Sequence, residues 1–213
     1  MGKVRVHQMV SLDGFSAGLN QSLEKPFGDG GEQLLGWVLK LRTFRQMLGQ
    51  QGGETGPSDD VIRQTAENLG ATVMGRNMFG GGRGPWPVEP WNGWWGPNPP
   101  YHTPVYVLTH YPREPLVMEG DTTFYFVTDG IESALSRARE AAGEKDVRIG
   151  GGANVVNQYL AAGLVDEIEL HLVPAILGGG ARLFDNLGGA PKLELARTVA
   201  APDVTHLTYR VVR

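Results

Sequence analysis

Short strand-like runs alternate with helix-like runs along most of this 213-residue sequence. Alternation of this kind predicts an α/β fold with a mixed, mostly parallel sheet flanked by helices. The stretch 194–212 predicts a closing antiparallel C-terminal hairpin. Ser58 and Asp129 are suited to cap two of the helices. Strands are predicted at 3–11, 71–75, 104–110, 123–128, 146–150 and 165–177, and helices at 32–47, 58–70, 129–143 and 153–162.

The composition limits what the chain can do. Its length and its 41% hydrophobic residues suit one large domain, which we predict over residues 1–213. A net charge of -4, with scattered Lys and Arg residues, argues against nucleic acid as a partner. The absence of cysteine excludes disulfides and thiolate metal sites and is compatible with a cytoplasmic protein. The N-terminus turns polar too early for a signal peptide, and no apolar run approaches the roughly 20 residues of a membrane span.

Three consecutive glycines, Gly150 to Gly152, separate an apolar run from a helix-like run. A turn without side chains lets another group approach the backbone, and the free N–H groups at a helix start favour an anion. A phosphate group is therefore the best candidate ligand. The spacing does not match the dinucleotide fingerprint because Val155 occupies its last glycine position, and no P-loop is present. Tight packing between strand and helix is the alternative reason for the glycines.

Basic and hydroxyl side chains follow two other strand-like runs. Arg76 comes directly after Gly75, and Thr109 and His110 end the next run, with Arg113 close behind. Because ligands bind at the carboxyl ends of the strands in an open α/β sheet, these clusters should flank the phosphate site. A guanidinium and an imidazole suit an additional phosphate on a ribose, which favours NADPH over NADH.

The segment 80–104 holds four of the five tryptophans among many glycines and prolines. It is too irregular for a helix or strand and too aromatic for an ordinary linker. Three alternatives stay open: a loop packed on its own side chains, a flap that lines a substrate site, or an exposed patch for another protein. The side chains that could reach a substrate are Trp86, Trp91 and His102.

Several stretches resemble one family. "VMGRNMF" (73–79), "PVYVLTH" (104–110) and "IGGGANVVNQYL" (149–160) are similar, in order and separation, to the dihydrofolate reductase-like fold. The closer similarity is to its branch that contains the C-terminal reductase domain of the bifunctional riboflavin-biosynthesis protein. "MVSLDGFSA" (9–17) and "AGLVDEIELHLVPAILGGGARLF" (162–184) resemble that branch too, so the resemblance covers nearly the whole chain.

This resemblance implies a binding site for NADPH. Residues 75–77 would meet the adenosine-side phosphates, and residues 109–110 would lie near the 2′-phosphate. Residues 150–155 would pass beside the pyrophosphate and the nicotinamide end, with a cis peptide bond between paired glycines. The backbone near Met9 and Ser16 would hold the carboxamide. The implied cofactor-binding residues are Met9, Ser16, Gly75, Arg76, Asn77, Thr109, His110, Gly150, Gly151, Gly152, Ala153, Asn154 and Val155.

The substrate and the proton donor stay open. Folate-reducing enzymes of this fold keep an acidic residue in the first helix facing the pterin, whereas here that helix has only Glu32, at its start. Asp13, in the loop after the first strand, is either a proton donor or substrate contact, or a turn-forming residue. His7, His171 and His206 lie within predicted strands, and we interpret them as structural. No histidine pair has metal-ligand spacing, so no metal is predicted.

We predict an NADPH-dependent reductase that transfers hydride to a C=N or C=O carbon of a small, heterocyclic substrate such as a pterin or aminopyrimidine. The proton would come from water or from Asp13. A non-catalytic NADP(H)-binding protein of the same fold is the alternative. The apolar C-terminal strands and the family resemblance make a homodimer an expectation.

Overall fold

A computed structural model describes residues 2–80, 82, 84–88, 91–185, 187–189 and 191–212. The strands in this part of the chain are β1 (Val4–Ser11), β2 (Phe15–Ala17), β3 (Leu69–Gly75), β4 (Pro104–Leu108), β5 (Leu116–Val117), β6 (Thr123–Val127), β7 (Asp146–Gly151), β8 (Glu167–Val173), β9 (Ala181–Arg182), β10 (Lys192–Ala201) and β11 (Val204–Val212).

Nine of these strands form one sheet in the order β10-β11-β8-β1-β7-β3-β4-β6-β5. The six central strands, from β8 to β6, run parallel to one another. At one side β11 pairs antiparallel with both β8 and β10, and at the other β5 pairs antiparallel with β6. The predicted mixed, mostly parallel sheet with an antiparallel C-terminal hairpin is therefore confirmed.

The helices flank both faces of this sheet. A 3₁₀ helix, Gly31–Leu34, precedes the first α-helix. The α-helices are α1 (Gly36–Leu39), α2 (Arg42–Met47), α3 (Pro57–Glu67), α4 (Arg76–Phe79), α5 (Ile131–Ala142) and α6 (Ala153–Ala161). None of the helices within the described residues is long and apolar enough to cross a membrane.

The single helix predicted at 32–47 is wrong, because the chain there forms three short helices. Leu41 adopts an extended conformation between α1 and α2. The backbone on either side of it pairs with Glu54. Arg42 N–H donates to the Glu54 carbonyl, and Glu54 N–H donates to the Lys40 carbonyl, both at 2.8 Å. This non-local pairing replaces the helical hydrogen bonds that the apolar spacing favours.

Both predicted N-caps are also wrong. Helix α3 begins at Pro57, whose fixed φ suits a first helical position, and the Ser58 hydroxyl lies 2.9 Å from Nε2 of His206 instead. Helix α5 begins after Gly130, and no side chain caps it. The Asp129 carboxylate accepts a hydrogen bond from the Ser133 hydroxyl at 2.8 Å.

The two faces of the central sheet differ in chemistry. One face, packed against α5 and α6, is apolar and includes Val4, Val6, Val73 and Ile149. The other face lies under the 3₁₀ helix and α1–α3 at one end and under the tryptophan-rich segment at the other. Its strand registers place Arg5 beside both Arg148 and Glu167, so charged side chains occupy the middle of a buried sheet. This polar face forms the floor of the candidate site.

Candidate active site

A cavity of about 710 Å³ opens at the carboxyl ends of the central strands. Its walls come from the loops after β3, β4 and β7, from the start of α6, and from α1–α3. This volume lies within the range of about 300–1,000 Å³ that is typical of small-molecule sites. The cavity therefore coincides with the sheet edge where parallel α/β folds bind ligands.

The glycines bring two backbone segments together at one end of the cavity. A Cβ on Gly75 would lie 2.7 Å from Cγ2 of Val155, and a Cβ on Gly151 would lie 2.6 Å from Nε2 of Gln8. Gly151 has φ +113°, a conformation that favours glycine, and the Gly151–Gly152 peptide bond is cis. The Gly152 carbonyl accepts the N–H groups of Val155 and Val156. The preceding N–H groups of α6 have no intrahelical acceptor and are oriented for an anion.

Two guanidinium groups share the Trp86 ring beside this glycine-lined end. The Arg76 guanidinium carbon lies 3.2 Å from the Trp86 ring centroid, and that of Arg113 lies 5.0 Å from it. Arg76 Nε donates to the Gly80 carbonyl at 3.0 Å, and Arg113 Nη1 donates to the Trp91 carbonyl at 2.6 Å. Burial and then the neighbouring Arg113 lower the pKa of Arg76. An anion bound here would relieve this repulsion between like charges.

Aromatic side chains form the wall at the opposite end of the cavity. The rings of Phe44 and Trp95 meet edge to face with centroids 5.6 Å apart, and Trp37 and Tyr101 line the same end. Arg148 also lines the cavity, and burial lowers its pKa. The Arg148 Nε atom is buried and has no hydrogen-bond partner among the described residues. This end combines flat apolar surfaces with one poorly satisfied positive charge.

His7, which lines the cavity, forms an ionic network with Glu169 and Arg5 behind it. His7 Nε2 lies 2.8 Å from Glu169 Oε2, and Arg5 Nη2 donates to the same oxygen at 2.9 Å. Burial raises the pKa of Glu169, but contact with His7 and the charge of Arg5 outweigh it, so the net pKa lies well below the usual value. Glu169 is therefore a carboxylate at neutral pH.

Two further histidines extend this network away from the cavity. His171 lines the cavity, and its Nδ1 lies 2.7 Å from Nδ1 of His206. Burial lowers the pKa of His171 well below its ordinary value and lowers that of His206 to about 4. Both rings are therefore neutral at physiological pH.

One cluster could coordinate a metal ion by distance alone. Ligand-type atoms of His7, Glu169 and His171 all lie within 4.8 Å of one another. The Arg5 guanidinium already binds the Glu169 carboxylate and would repel a divalent cation at this position. Charge therefore favours an ion-pair network over a metal centre.

The sequence matches the family model of the RibD C-terminal domain over residues 2–207. This chain belongs to the RibD C-terminal domain family. The family resemblance noted in the sequence is thereby confirmed. Two uncharacterized proteins of Bacillus subtilis (strain 168), YwjB and YyaP, are 30% and 31% identical to it over 84 and 80 residues. These matches cover 39% and 38% of this chain, and 48% and 42% of the relatives, so the chain spans about half the length of the curated relatives it matches.

Solved structures similar to this RibD C-terminal domain family member share its fold. A candidate riboflavin biosynthesis protein from Shewanella sp. PV-4 has a TM-score of 0.64 at 22% identity, over 99% of this chain and 99% of that one. A deaminase/5-amino-6-(5-phosphoribosylamino)uracil reductase from Thermotoga maritima has a TM-score of 0.56 at 13% identity, over 99% of this chain and 57% of that one. Dihydrofolate reductase from Enterococcus faecalis, complexed with NADP(H), has a TM-score of 0.52 at 16% identity, over 99% and 96%. The dihydrofolate reductase-like fold is thus confirmed.

The residues predicted to bind the cofactor gather at the cavity. All of them except Gly151 contribute to its lining, from Met9 and Ser16 on the first strand and its loop to Val155 on α6. Gly151 lies directly behind the lining, with Gln8 against its backbone. Their role in cofactor binding stays a prediction, but the structure brings them together in this family member.

The structure does not bring the predicted catalytic and substrate residues to the cavity lining. Asp13 accepts hydrogen bonds from the Ser11 hydroxyl at 2.6 Å and from the backbone of Leu177 and Gly178, at 3.1 and 2.7 Å. The bond from Ser11, followed by those backbone bonds, lowers the pKa of Asp13 to about 2. A carboxylate held in this way braces a turn, and the role of Asp13 as proton donor stays a prediction.

His102, Trp86 and Trp91 also lie outside the lining. His102 Nδ1 lies 2.5 Å from the Gly120 carbonyl, and its Nε2 lies 2.7 Å from the Met47 carbonyl. Trp86 supports Arg76, whereas Trp91 Nε1 donates to the Phe79 carbonyl at 2.8 Å. These three side chains therefore hold the tryptophan-rich segment together instead of facing a substrate.

Sequence reasoning missed several residues that do line the cavity. Trp94 and Trp95 belong to the same segment, but composition could not tell which tryptophans face inward. His7, Arg148 and His171 left a clearer signal, because they interrupt strands that are buried at the centre of the sheet. Central parallel strands are usually continuously apolar, so charged residues at alternate positions indicate a functional floor.

Proposed function

We propose that this protein is an NADPH-dependent reductase that transfers hydride to a C=N or C=O carbon of a small planar substrate. The observation that carries the proposal is a single cavity with two different ends. One end combines the glycine-lined start of α6 with the Arg76 and Arg113 pair, and the other combines aromatic walls with Arg148. Membership of the RibD C-terminal domain family supports a reductase role.

The residues present fit a nicotinamide dinucleotide that carries a 2′-phosphate. The N–H groups at the start of α6 would bind the pyrophosphate, and Gly75 and Gly151 let β3 and β1 pack closely against the segment that leads into this helix. Arg76 and Arg113, stacked on Trp86, would bind the 2′-phosphate.

When bound, the cofactor supplies the hydride, and the protein supplies orientation, electrostatics and the proton. Met9 and Ser16 line the cavity between its two ends and would orient the nicotinamide through their backbone groups. The rings of Trp37 and Trp95 would hold a flat substrate and keep bulk water away from the reacting carbon. These contacts position two reactants, which accounts for a large share of catalysis in bimolecular reactions.

Arg148 narrows the substrate class. Its guanidinium lies in the cavity with an unpartnered Nε, so a ligand with an anionic or electron-rich oxygen would satisfy it. The aromatic wall favours a planar ring on the same ligand. We therefore infer a heterocycle that carries an enolate, carboxylate or phosphate group.

One observation favours the alternative of a non-catalytic NADP(H)-binding protein. No Asp or Glu side chain contributes to the cavity lining within the described residues. A reductase needs a proton source, and without a carboxylate it must use a histidine or water.

Hydride transfer can be tested before the substrate is identified. The protein is incubated with NADPH deuterated at C4 and a panel of pterins, aminopyrimidines and related acidic heterocycles. Reductase activity predicts cofactor oxidation, and mass spectrometry should find deuterium in a reduced product. Cofactor binding without oxidation across the whole panel would support the non-catalytic alternative instead.

A further inference from the structure

The ionisable side chains of the cavity lining differ in their capacity to donate a proton. Tyr101 is deeply buried, and this burial raises its pKa. His171 stays neutral because of burial, and its Nδ1 faces His206. His110 lies at the Arg76 end, away from the aromatic wall. Among the histidines of the lining, His7 alone contacts a carboxylate.

The two ring nitrogens of His7 have different surroundings. Its Nε2 lies 2.8 Å from Glu169 Oε2, an ion-pair contact that lacks the alignment of a hydrogen bond. Its Nδ1 forms no hydrogen bond within the residues that the structure describes. The ring is 9% exposed, and it lines the cavity. A histidine oriented by a carboxylate on one side and open to a cavity on the other is the arrangement of a general acid or base.

We propose that His7 gives the substrate its proton and that Glu169 is the positioning residue that orients the His7 ring. This inference rests on the proposed reductase function and assigns the proton to a residue that lines the cavity, which Asp13 does not. His7 on β1 and Glu169 on β8 are adjacent in strand register, so the sheet itself fixes the pair. Arg5 Nη2 donates to the same Glu169 oxygen at 2.9 Å and so fixes the carboxylate.

For a C=N substrate, the reacting carbon would gain a hydride supplied by the bound nicotinamide cofactor, which would be oxidised. The electron pair of the C=N π bond moves to nitrogen, and that nitrogen forms a bond to the proton that leaves Nδ1 of His7. The imidazolium becomes neutral imidazole and regains a proton from water after product release.

Charged and titratable groups surround His7 on the neighbouring strands. Glu169 and His171 approach from β8, His206 lies behind them on β11, Arg148 lies on β7, and Arg5 precedes His7 on β1.

Histidine variants test the assignment through activity. His7→Gln keeps a donor for Glu169 but carries no transferable proton, so kcat should fall by about 10²–10⁴-fold. Its affinity for NADPH should change less than about threefold. His7→Ala should recover activity when imidazole is added, which a purely structural residue would not allow.

Matched variants separate positioning from catalysis and from packing. Glu169→Gln should lower kcat by about tenfold with little change in KM, because it releases the His7 ring. His206→Gln is the control, since His206 belongs to the same network but does not line the larger cavity. Equal losses in His206→Gln and His7→Gln would overturn the proposal. So would loss of activity in a chelator that is restored by zinc, because the cluster would then act as a metal centre.

A spectroscopic measurement tests the assignment without a substrate. In ¹⁵N-histidine NMR spectra, with the His7 signals assigned by their loss in His7→Gln, Glu169→Gln should shift the Nε2 signal more than the Nδ1 signal, because Nε2 contacts Glu169. A larger shift at Nδ1 would contradict the proposal. If the wild-type protein oxidises no NADPH with the panel while Nε2 responds as expected, the reductase function has failed and the His7 geometry has not.

Discussion

Adding one methyl group at Gly75 tests whether the cavity edge is built to exclude side chains. The backbone of Gly75 is extended, with φ −89°, so alanine is tolerated there by conformation. The new Cβ, however, would lie 2.7 Å from Val155 Cγ2, whereas carbon atoms normally approach to about 3.5–4.0 Å. Relief of this overlap must move β3 or the start of α6.

The magnitude follows from the overlap. Overpacking of this kind costs about 1–3 kcal/mol. If the displacement falls on the pyrophosphate-binding N–H groups, Gly75→Ala should raise the Kd for NADPH by about 5- to 150-fold. If the displacement instead lowers the free energy of unfolding, the Tm should drop by about 2–4 °C for each kcal/mol lost. Calorimetric titration and thermal unfolding measure the two components separately.

A second substitution identifies the cause. In Gly75→Ala/Val155→Ala the clashing methyl is absent, so affinity and Tm should recover toward the values of Val155→Ala alone, with a coupling energy of about 0.5–3 kcal/mol. Gly36→Ala adds the same methyl where no heavy atom lies within 4 Å, and it should leave NADPH affinity unchanged. Wild-type affinity in Gly75→Ala, or no recovery in the double variant, would refute the steric argument.

Three other substitutions follow from the same site. Arg76→Ala should weaken NADPH binding by about 10- to 100-fold and NADH binding much less, because a charge-assisted bond to the 2′-phosphate contributes about 1.5–3 kcal/mol. Equal losses of affinity for the two cofactors in calorimetric titrations would show that Arg76 does not bind the 2′-phosphate. Arg148→Met should raise KM for an anionic substrate and leave NADPH affinity unchanged. An unchanged KM in steady-state kinetics would show that Arg148 does not bind the substrate. Asp13→Asn should lower the Tm at neutral pH but keep kcat. Because the pKa of Asp13 is lowered to about 2 in the folded protein, its contribution is fully present above about pH 4 and is lost as pH falls toward 2. The difference in Tm between Asp13→Asn and the wild type should therefore shrink as pH falls over that interval. Loss of turnover in Asp13→Asn at neutral pH would instead indicate that Asp13 donates the proton.

Local signals predicted the strands and the cofactor end of the cavity. Apolar runs that end at Gly75 and Gly150 mark strand termini, and parallel strands bring their carboxyl ends to one edge. The order of the strands therefore brought together residues that are far apart in sequence, such as Arg76 and Asn154. The individual cofactor-binding residues, such as Met9 and Ser16, came from the family resemblance.

Non-local contacts decided what the sequence pattern could not. Helical spacing in 32–47 was overridden by backbone pairing of the Leu41 segment with Glu54. The inward orientation of Trp95 depends on its packing against Phe44 of α2, which no local pattern encodes. His7 was interpreted as structural because its partner, Glu169, lies on a strand more than 150 residues later. Pairing across the sheet was the missing information.

The central claim is that the cavity holds a nicotinamide cofactor through its 2′-phosphate. Calorimetric titration of the wild-type protein with NADPH and, separately, with NADH tests this claim most directly. The account predicts that NADPH binds at least about tenfold more tightly, a difference of about 1.4 kcal/mol. Equal affinities would contradict the role of the Arg76 and Arg113 pair, and no binding of either cofactor would contradict the proposed function itself.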